Sequence, residues 1–262
     1  MADGSVPSAG DAADGVPSGQ PVALVADAGF YVGPPLALLL AQRGFRLVVG
    51  DPDADTIAAL DALGTEYEVV TRVRNLAKPE SAPRLVQAAL DRFGRLDSAA
   101  AFSGMVVTGR FMQSSTDDLQ KVYDGCMVAP YRFLQAVLPP MIEAGIGQVL
   151  VITSASGARP TPGAPLYSAM RAGANHLVRN VASEVARHHV QVNAVGTNFM
   201  DFPEFRRATG ADDPEVRRHI EAQVPLGRLG TVDEFAQFCA PFIDGTSRFA
   251  TGQYVSFDGG WS

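Results

Sequence analysis

Three residues near the middle of the chain combine types and spacing that suit acid–base chemistry: Ser154, Tyr167 and Arg171. Ser154 stands at the end of a predicted strand, and the four-residue interval between Tyr167 and Arg171 places both on one face of a helix. A cation held beside a tyrosine favours its phenolate form, so Tyr167 can serve as an acid or a base near neutral pH. Ser154 can then hold a substrate oxygen against the phenol. The alternative is that Tyr167 and Arg171 only pack and pair on a helix.

The elements that must position these residues alternate between short apolar strands and helices. Strands are predicted at residues 22–26, 46–49, 67–73, 96–101, 148–153, 190–195 and 253–257. Helices are predicted at residues 36–43, 55–63, 83–93, 116–144 and 166–187, with two shorter ones after the sixth strand. Such alternation indicates a parallel sheet covered by helices on both faces. The predicted fold class is therefore α/β, a Rossmann-like doubly wound domain with a seven-stranded parallel sheet.

Length and composition favour one folded domain preceded by a leader. The chain has 262 residues, 47% of them hydrophobic, which is enough for a full core. Residues 1–20 are rich in Gly, Ala, Ser, Asp and Pro and lack an apolar period, so we expect a disordered leader before a single domain at residues 21–262. No basic start followed by an apolar run occurs in this leader, which argues against a secretory signal.

Charge and cysteine content argue against several classes of partner. The net charge of −7 disfavours nucleic acid or an anionic membrane as a partner. No apolar run approaches the roughly 18 residues of a membrane span. The two cysteines, Cys126 and Cys239, show no metal-ligand spacing, and the four histidines form no metal-binding pattern. We therefore expect no metal, and a reduced, cytoplasmic setting.

Nearly the whole chain, residues 22–262, resembles the short-chain dehydrogenase/reductase family. The resemblance lies in the helix that carries Tyr167 after the serine strand, and in three later motifs. These motifs read VNAV at residues 192–195, VPLGRLGT at residues 224–231, and TGQYVSFDGGW at the end of the chain. The resemblance implies the Rossmann-like fold.

The dinucleotide-binding turn departs from the family pattern. The family reads TGxxxGxG, whose glycines permit a tight turn and a close approach of the pyrophosphate. Here Asp27 and Tyr31 replace two of these glycines, and only Gly33 remains. A carboxylate at Asp27 would repel a phosphate, and the ring of Tyr31 would occupy the space of the cofactor. Asp51 stands where an acid would bind the ribose, and we interpret it as a solvated residue at a strand end.

A short-chain fold that keeps the acid–base tyrosine, reads YxxxR in place of YxxxK and loses the glycine turn resembles the halohydrin dehalogenases. This cofactor-free branch of the superfamily has a Ser-Tyr-Arg triad. The resemblance implies a lyase that converts a vicinal haloalcohol into an epoxide, a halide and a proton. In reverse, it would open epoxides with halide, azide, cyanide or nitrite. It implies Ser154, Tyr167 and Arg171 as catalytic residues and no cofactor. It also implies a haloalcohol or epoxide and a small anion as binding partners, and a homotetramer.

The same resemblance implies a pocket for the leaving halide or the incoming nucleophile. Such folds bind ligands at the carboxyl ends of their strands, and backbone N–H groups in a loop suit a weakly hydrated anion. The expected halide- and nucleophile-binding residues are Phe30, Tyr31, Ser156, Thr197, Asn198, Phe199 and Met200. Phe199 and Met200 could instead be ordinary core residues, and Ser156 could only cap its loop.

Two other functions are compatible with the sequence. The first is an NAD(P)-dependent short-chain alcohol dehydrogenase or reductase with an atypical cofactor turn. The second is a non-enzymatic binding or scaffold protein on the same fold, against which the intact Ser/Tyr/Arg spacing argues. The sequence does not identify the substrate.

Overall fold

The computed structural model of the protein describes residues 19–102 and 104–262. Its centre is a seven-stranded parallel sheet in the order β3-β2-β1-β4-β5-β6-β9. These strands are β1 (Val22–Val25), β2 (Arg46–Gly50), β3 (Tyr67–Val70), β4 (Ser98–Phe102), β5 (Gly147–Ser154), β6 (Val190–Thr197) and β9 (Tyr254–Phe257). The chain reverses direction along the sheet between β1 and β4, which is the place where such sheets bind ligands. The predicted fold class is confirmed.

Helices cover both faces of the sheet. They are α1 (Gly33–Gln42), α2 (Ala54–Ala62), α3 (Ser81–Phe93), α4 (Thr116–Tyr123), α5 (Ala129–Ala144), α6 (Pro165–Val185), α7 (Pro203–Thr209), α8 (Pro214–Glu221) and α9 (Val232–Cys239). Side chains of α3, α5 and α6 pack on one face of the sheet, and those of α1, α2 and α9 pack on the other. Because both faces are covered, β1 is apolar throughout, and β4 and β5 contain continuous apolar runs at residues 99–102 and 149–152.

The structure corrects the predicted elements at two places. The helix predicted at residues 116–144 is not one continuous α-helix. The segment Asp124–Val128 is π-helical and separates α4 from α5. Between β6 and β9 there are three α-helices instead of two, together with a two-stranded parallel sheet formed by β7 (Met200–Asp201) and β8 (Gly230–Thr231). Two-residue strands and a single widened turn have no period that a sequence pattern could reveal.

The leader predicted at residues 1–20 lies outside the described residues except for its last two positions. Within residues 19–102 and 104–262, no helix has the length and apolar character needed to cross a membrane.

Gly33 begins α1 at a point where the helix touches the turn after β1. A Cβ atom at this position would clash with the backbone carbonyl of Asp27. Backbone atoms cannot swing aside as a long side chain can, so only glycine allows this approach. The close contact explains why Gly33 is the one family glycine that remains in a turn whose other two are replaced.

We expect Gly33→Ala to destabilise the protein by about 1–3 kcal/mol, the usual range for forcing extra volume into a packed site. For a chain of this size, each 1 kcal/mol lowers the melting temperature by roughly 2–4 °C. Gly173→Ala on α6 is the control, because its added Cβ would meet only the flexible end of Met127. Thermal unfolding of both variants checks this, and equal melting temperatures would contradict the proposed clash.

Candidate active site

The three sequence-predicted catalytic residues are carried by β5 and by α6, the helix that packs against the turn after β5. Ser154 ends β5 and lies directly opposite Thr197 at the end of β6. Tyr167 and Arg171 lie on the first two turns of α6, and Ser154, Tyr167 and Arg171 are all buried. The guanidinium carbon of Arg171 lies 5.1 Å from the centre of the Tyr167 ring. The predicted placement of both residues on one face of a helix is therefore met.

Ser154 is oriented by its own backbone surroundings. Its hydroxyl accepts a hydrogen bond from the Ser156 amide at 3.1 Å and donates one to the Thr197 carbonyl at 3.3 Å. Its carbonyl accepts a hydrogen bond from the Tyr254 hydroxyl at 3.2 Å. A serine hydroxyl has one donor and two acceptor positions, so a substrate oxygen can be bound by turning the O–H away from Thr197.

The segment that follows Ser154 is held against α6 by close packing. A Cβ on Gly157 would come within 2.7–2.8 Å of the Arg171 carbonyl carbon, the Ala172 amide nitrogen and the Asn175 side chain. The Ser168 hydroxyl donates a 2.7 Å hydrogen bond to the Ser156 carbonyl. The strand end that carries Ser154 and the helix that carries Tyr167 are thus tied together directly.

Arg171 is the largest of the fully buried side chains. Its Nε, Nη1 and Nη2 atoms make no hydrogen bond of normal geometry to any residue in 19–102 or 104–262. Burial disfavours the charged form, but the nearby Tyr167, Cys126 and Tyr254 side chains together hold the pKa of the Arg171 guanidinium above its ordinary value. A positive charge is therefore kept inside the protein, where an unpaired ion is costly unless a counter-charge or a polar ligand meets it.

Tyr31 occupies the turn after β1 and points into the sheet edge. Its φ of 55° lies in the left-handed region that favours glycine. Tyr31 is 8% exposed, and the centre of its ring lies 5.1 Å from that of Phe102, 4.7 Å from that of Phe202 and 5.8 Å from that of Phe235. Its hydroxyl donates a 2.8 Å hydrogen bond to Thr197 Oγ1. Burial raises the pKa of Tyr31 far above its ordinary value, so this phenol stays neutral.

Two carboxylates flank the same turn. Asp27 is buried and forms an ion pair of 3.0 Å with Arg74, yet burial outweighs this partner and raises the pKa of Asp27. Asp51 accepts three backbone hydrogen bonds of 2.6–2.7 Å from residues 72–74. Asp51 is therefore not a solvated strand-end residue. Both of its oxygens join the end of β2 to the segment after β3.

The residues expected to bind halide lie in different surroundings. Phe30 and Tyr31 belong to the aromatic cluster, and Tyr31 is bonded to Thr197. Ser156 binds Ser154 through its amide. Asn198, Phe199 and Met200 instead line a separate cavity of about 290 Å³ with the C-terminal residues 256–260. The Phe199 ring packs edge-on against the Trp261 ring at 5.7 Å between centres, and Met200 is buried in β7. Both contacts are those of ordinary packing residues, the alternative given for these two positions.

Sequence reasoning missed several side chains that surround the site. Tyr254 bonds Ser154, and its strand β9 lies beside β6, which only the sheet order reveals. Cys126 lies in the π-helical turn and donates a weak hydrogen bond from Sγ to the Met105 carbonyl at 3.8 Å. Gly104 leaves room for Arg171, since a Cβ there would clash with the guanidinium. Its identity as glycine was the one available indication of this contact.

A doubly wound parallel sheet with a serine at the end of β5 and a tyrosine in the first turn of the next helix defines a class of Rossmann-like enzymes. The family model described as enoyl-(acyl carrier protein) reductase matches residues 32–262. The chain belongs to this family and, with it, to the short-chain dehydrogenase/reductase superfamily.

Curated relatives and solved structures agree on this membership. A 3-oxoacyl-(acyl-carrier-protein) reductase of Synechocystis sp. is 30% identical over 247 residues, which is 91% of this chain and 96% of that protein. The enzyme of that name from Thermotoga maritima is 27% identical, with coverages of 91% and 96%. The crystal structure of acetoin dehydrogenase from Enterobacter cloacae superposes with a TM-score of 0.81 at 26% identity, covering 94% of this chain and 96% of its own.

These comparisons overturn the halohydrin dehalogenase prediction. The relatives that carry the similarity are named as reductases and dehydrogenases, so the chain is not assigned as a cofactor-independent lyase. A haloalcohol or epoxide and a small anion are likewise wrong as its partners. The prediction relied on one turn and one arginine, whereas the similarity to reductases extends over more than nine-tenths of the chain.

Reductases of this superfamily imply a nicotinamide dinucleotide, and the turn after β1 tests whether this chain accepts one. The Tyr31 ring is buried at the sheet edge, and the buried Asp27 carboxylate adds a negative charge to the same turn, which disfavours a phosphate. The Ala28 and Gly33 amides already donate to the Gly50 and Phe30 carbonyls. In the arrangement described, these residues do not fit a dinucleotide.

The segment that carries Phe202 into the aromatic cluster is anchored by Asp201. Its carboxylate accepts hydrogen bonds of 2.7 Å from both Arg206 and Arg217. Partial burial works against the charge, but Arg217 and Arg206 outweigh it and hold the pKa of Asp201 below its ordinary value. A group with a lowered pKa in the folded state stabilises that state above its unfolded pKa and loses this contribution as the pH falls.

We expect Asp201→Asn to lower the free energy of unfolding by roughly 0.5–1 kcal/mol at neutral pH, a modest amount because the pair is partly solvated. The difference from the wild type should shrink as the pH falls below about 4, where the unfolded aspartate becomes protonated. Denaturant unfolding at several pH values measures it. Glu204→Gln, which breaks an exposed pair with Arg207, serves as the control and should change little. A difference that is constant with pH would contradict the ionic origin.

Proposed function

We propose that this protein is an oxidoreductase that interconverts an alcohol and the corresponding carbonyl compound. The observation that carries the proposal is the stacking of the buried Arg171 guanidinium on Tyr167, one packed segment away from the Ser154 hydroxyl. The names of the relatives, a 3-oxoacyl thioester reductase and an acetoin dehydrogenase, support a carbonyl as the substrate group. The redox partner that this kinship supports is NAD(P)(H), which would require the turn that carries Asp27 and Tyr31 to move from the arrangement described.

Each residue of the site has a separate part in handling the substrate oxygen. In the reductive direction Tyr167 donates a proton to the carbonyl oxygen as it gains negative charge, and in the oxidative direction it removes the alcohol proton. Ser154 donates a hydrogen bond to the same oxygen and fixes its position. Arg171 is always charged and stabilises the phenolate that remains when Tyr167 has given up its proton. Burial of all three excludes water, which strengthens these interactions.

Tyr167→Phe removes the proton donor while it keeps the ring and its contact with Arg171. We expect kcat/KM for carbonyl reduction to fall by about 10²- to 10⁴-fold, the usual contribution of a positioned acid. The assay uses acetoacetyl-coenzyme A and diacetyl, with NADPH or NADH, and follows the loss of reduced nicotinamide. Tyr131→Phe, which alters an exposed tyrosine on α5, is the matched control. Purified wild-type protein that reduces neither compound with either nucleotide, and oxidises no corresponding alcohol, would refute the proposed function.

Arg171→Lys and Arg171→Gln separate the charge of this residue from its shape. Lysine keeps a positive charge in another geometry, so we expect a smaller loss of kcat/KM than with glutamine. In Arg171→Gln the phenolate loses its neighbouring cation, so we expect the larger loss of kcat/KM for alcohol oxidation in this variant.

The measurement is kcat/KM for alcohol oxidation by the wild type and both variants at one pH, with circular dichroism as a check of folding. If Arg171→Lys and Arg171→Gln lose kcat/KM to the same extent, the charge of Arg171 has no part in the reaction. A variant that is unfolded is uninformative on charge, which is why the lysine variant is measured beside it.

A further inference from the structure

We infer that Tyr31 is a built-in plug of the dinucleotide site, so that a dinucleotide can enter only by displacing the Tyr31 ring. The inference concerns binding alone and does not rest on the proposed reaction. Tyr31 lies in the turn after β1, and β1 is the neighbour of β4 in the sheet. The strand order reverses between these two strands, and doubly wound sheets bind their ligands at such a reversal.

The ring of Tyr31 is held on several sides at once. Phe102 at the end of β4, Phe202 after β7 and Phe235 of α9 each lie within 4.7–5.8 Å of it, in tilted geometries that favour aromatic contact. These partners come from three distant parts of the chain. A ring that rotated out of this cluster would leave a hole lined by apolar side chains, so the closed arrangement is the stable one in the absence of a ligand.

The hydroxyl of Tyr31 secures the ring at its far end. Thr197 Oγ1 accepts its hydrogen bond at 2.8 Å, and both residues are buried. Thr197 also lies opposite Ser154 and accepts the hydrogen bond from the Ser154 hydroxyl through its carbonyl. Tyr31 therefore fixes the strand end on which the candidate catalytic serine depends, and this contact must break if the ring moves.

The mouth of the turn is closed by a second contact that does not involve Tyr31. The Arg74 side chain pairs with Asp27 at 3.0 Å and lies 5.7 Å above the Phe30 ring. The Asp27 Oδ1 atom has no hydrogen-bond partner within residues 19–102 and 104–262. A phosphate brought to this turn would meet the Asp27 carboxylate, so Asp27→Gly should help an anionic ligand independently of the plug.

The test is the affinity of NADPH and NADH for the full-length protein, measured by calorimetry without substrate. Tyr31→Phe and Thr197→Val each remove the hydrogen bond while nearly conserving volume. We expect each to bind the nucleotides about twofold to tenfold more tightly than the wild type, the effect of one net hydrogen bond that no longer has to be broken. Tyr31→Gly also removes the ring and relieves the positive φ. We expect it to gain at least about tenfold over Tyr31→Phe.

Tyr67→Phe is the matched control, because its hydroxyl also donates to a side chain, Asp61 at 2.7 Å, at the opposite end of a strand. Its affinity should equal that of the wild type. The plug is refuted if the wild type binds as tightly as Tyr31→Gly, or if none of the variants gains affinity. If Tyr31→Gly does not fold, the two variants that keep the volume decide the question. The test measures only nucleotide affinity, so its result can be interpreted even if the protein does not catalyse the proposed reaction.

Discussion

The candidate active site of this protein depends on the buried ring of Tyr31 and on the hydrogen bond that its hydroxyl donates to Thr197. Tyr31 joins the turn after β1 to the end of β6 through Thr197, and it joins both to Phe102, Phe202 and Phe235. The cost is a left-handed backbone at a residue with a side chain. The ring contacts offset that cost, because they bury apolar surface where the sheet would otherwise have an open crevice.

The second constraint is a positive charge inside the protein. Arg171 is fully buried. Gly104 approaches its guanidinium and Gly157 approaches its backbone, each at a distance that leaves no room for a Cβ. An isolated charge in a medium of low polarity is strongly disfavoured, so the surroundings of this guanidinium are arranged around Tyr167, Cys126 and Tyr254. The proposed proton exchange at Tyr167 depends on a charge with these neighbours.

The corrected function shows how far a local motif can be trusted. The glycine turn and the Tyr-to-Arg spacing occupy about a dozen positions. From these positions alone the sequence analysis predicted one branch of the superfamily, the halohydrin dehalogenases. The chain-wide similarity points to reductases. Both kinds of observation concern real features, since the turn is in fact filled by Tyr31 and flanked by Asp27. The similarity supports the proposed class of reaction, and the turn supports the inference that Tyr31 must move before a dinucleotide can enter.

The sequence by itself determined the fold class and the three residues of the candidate site. Strands buried on both faces must be apolar throughout, and residues four apart on a helix must share a face, so these properties are written in local order. Only the tertiary structure decided that Ser154 lies opposite Thr197, that Tyr31 reaches across to Thr197, and that Asn198, Phe199 and Met200 line a different cavity. The reason is physical. Tyr31 and Thr197 are 166 residues apart, and their contact follows from the strand order and from packing against rings distant in sequence, neither of which leaves a period in the sequence.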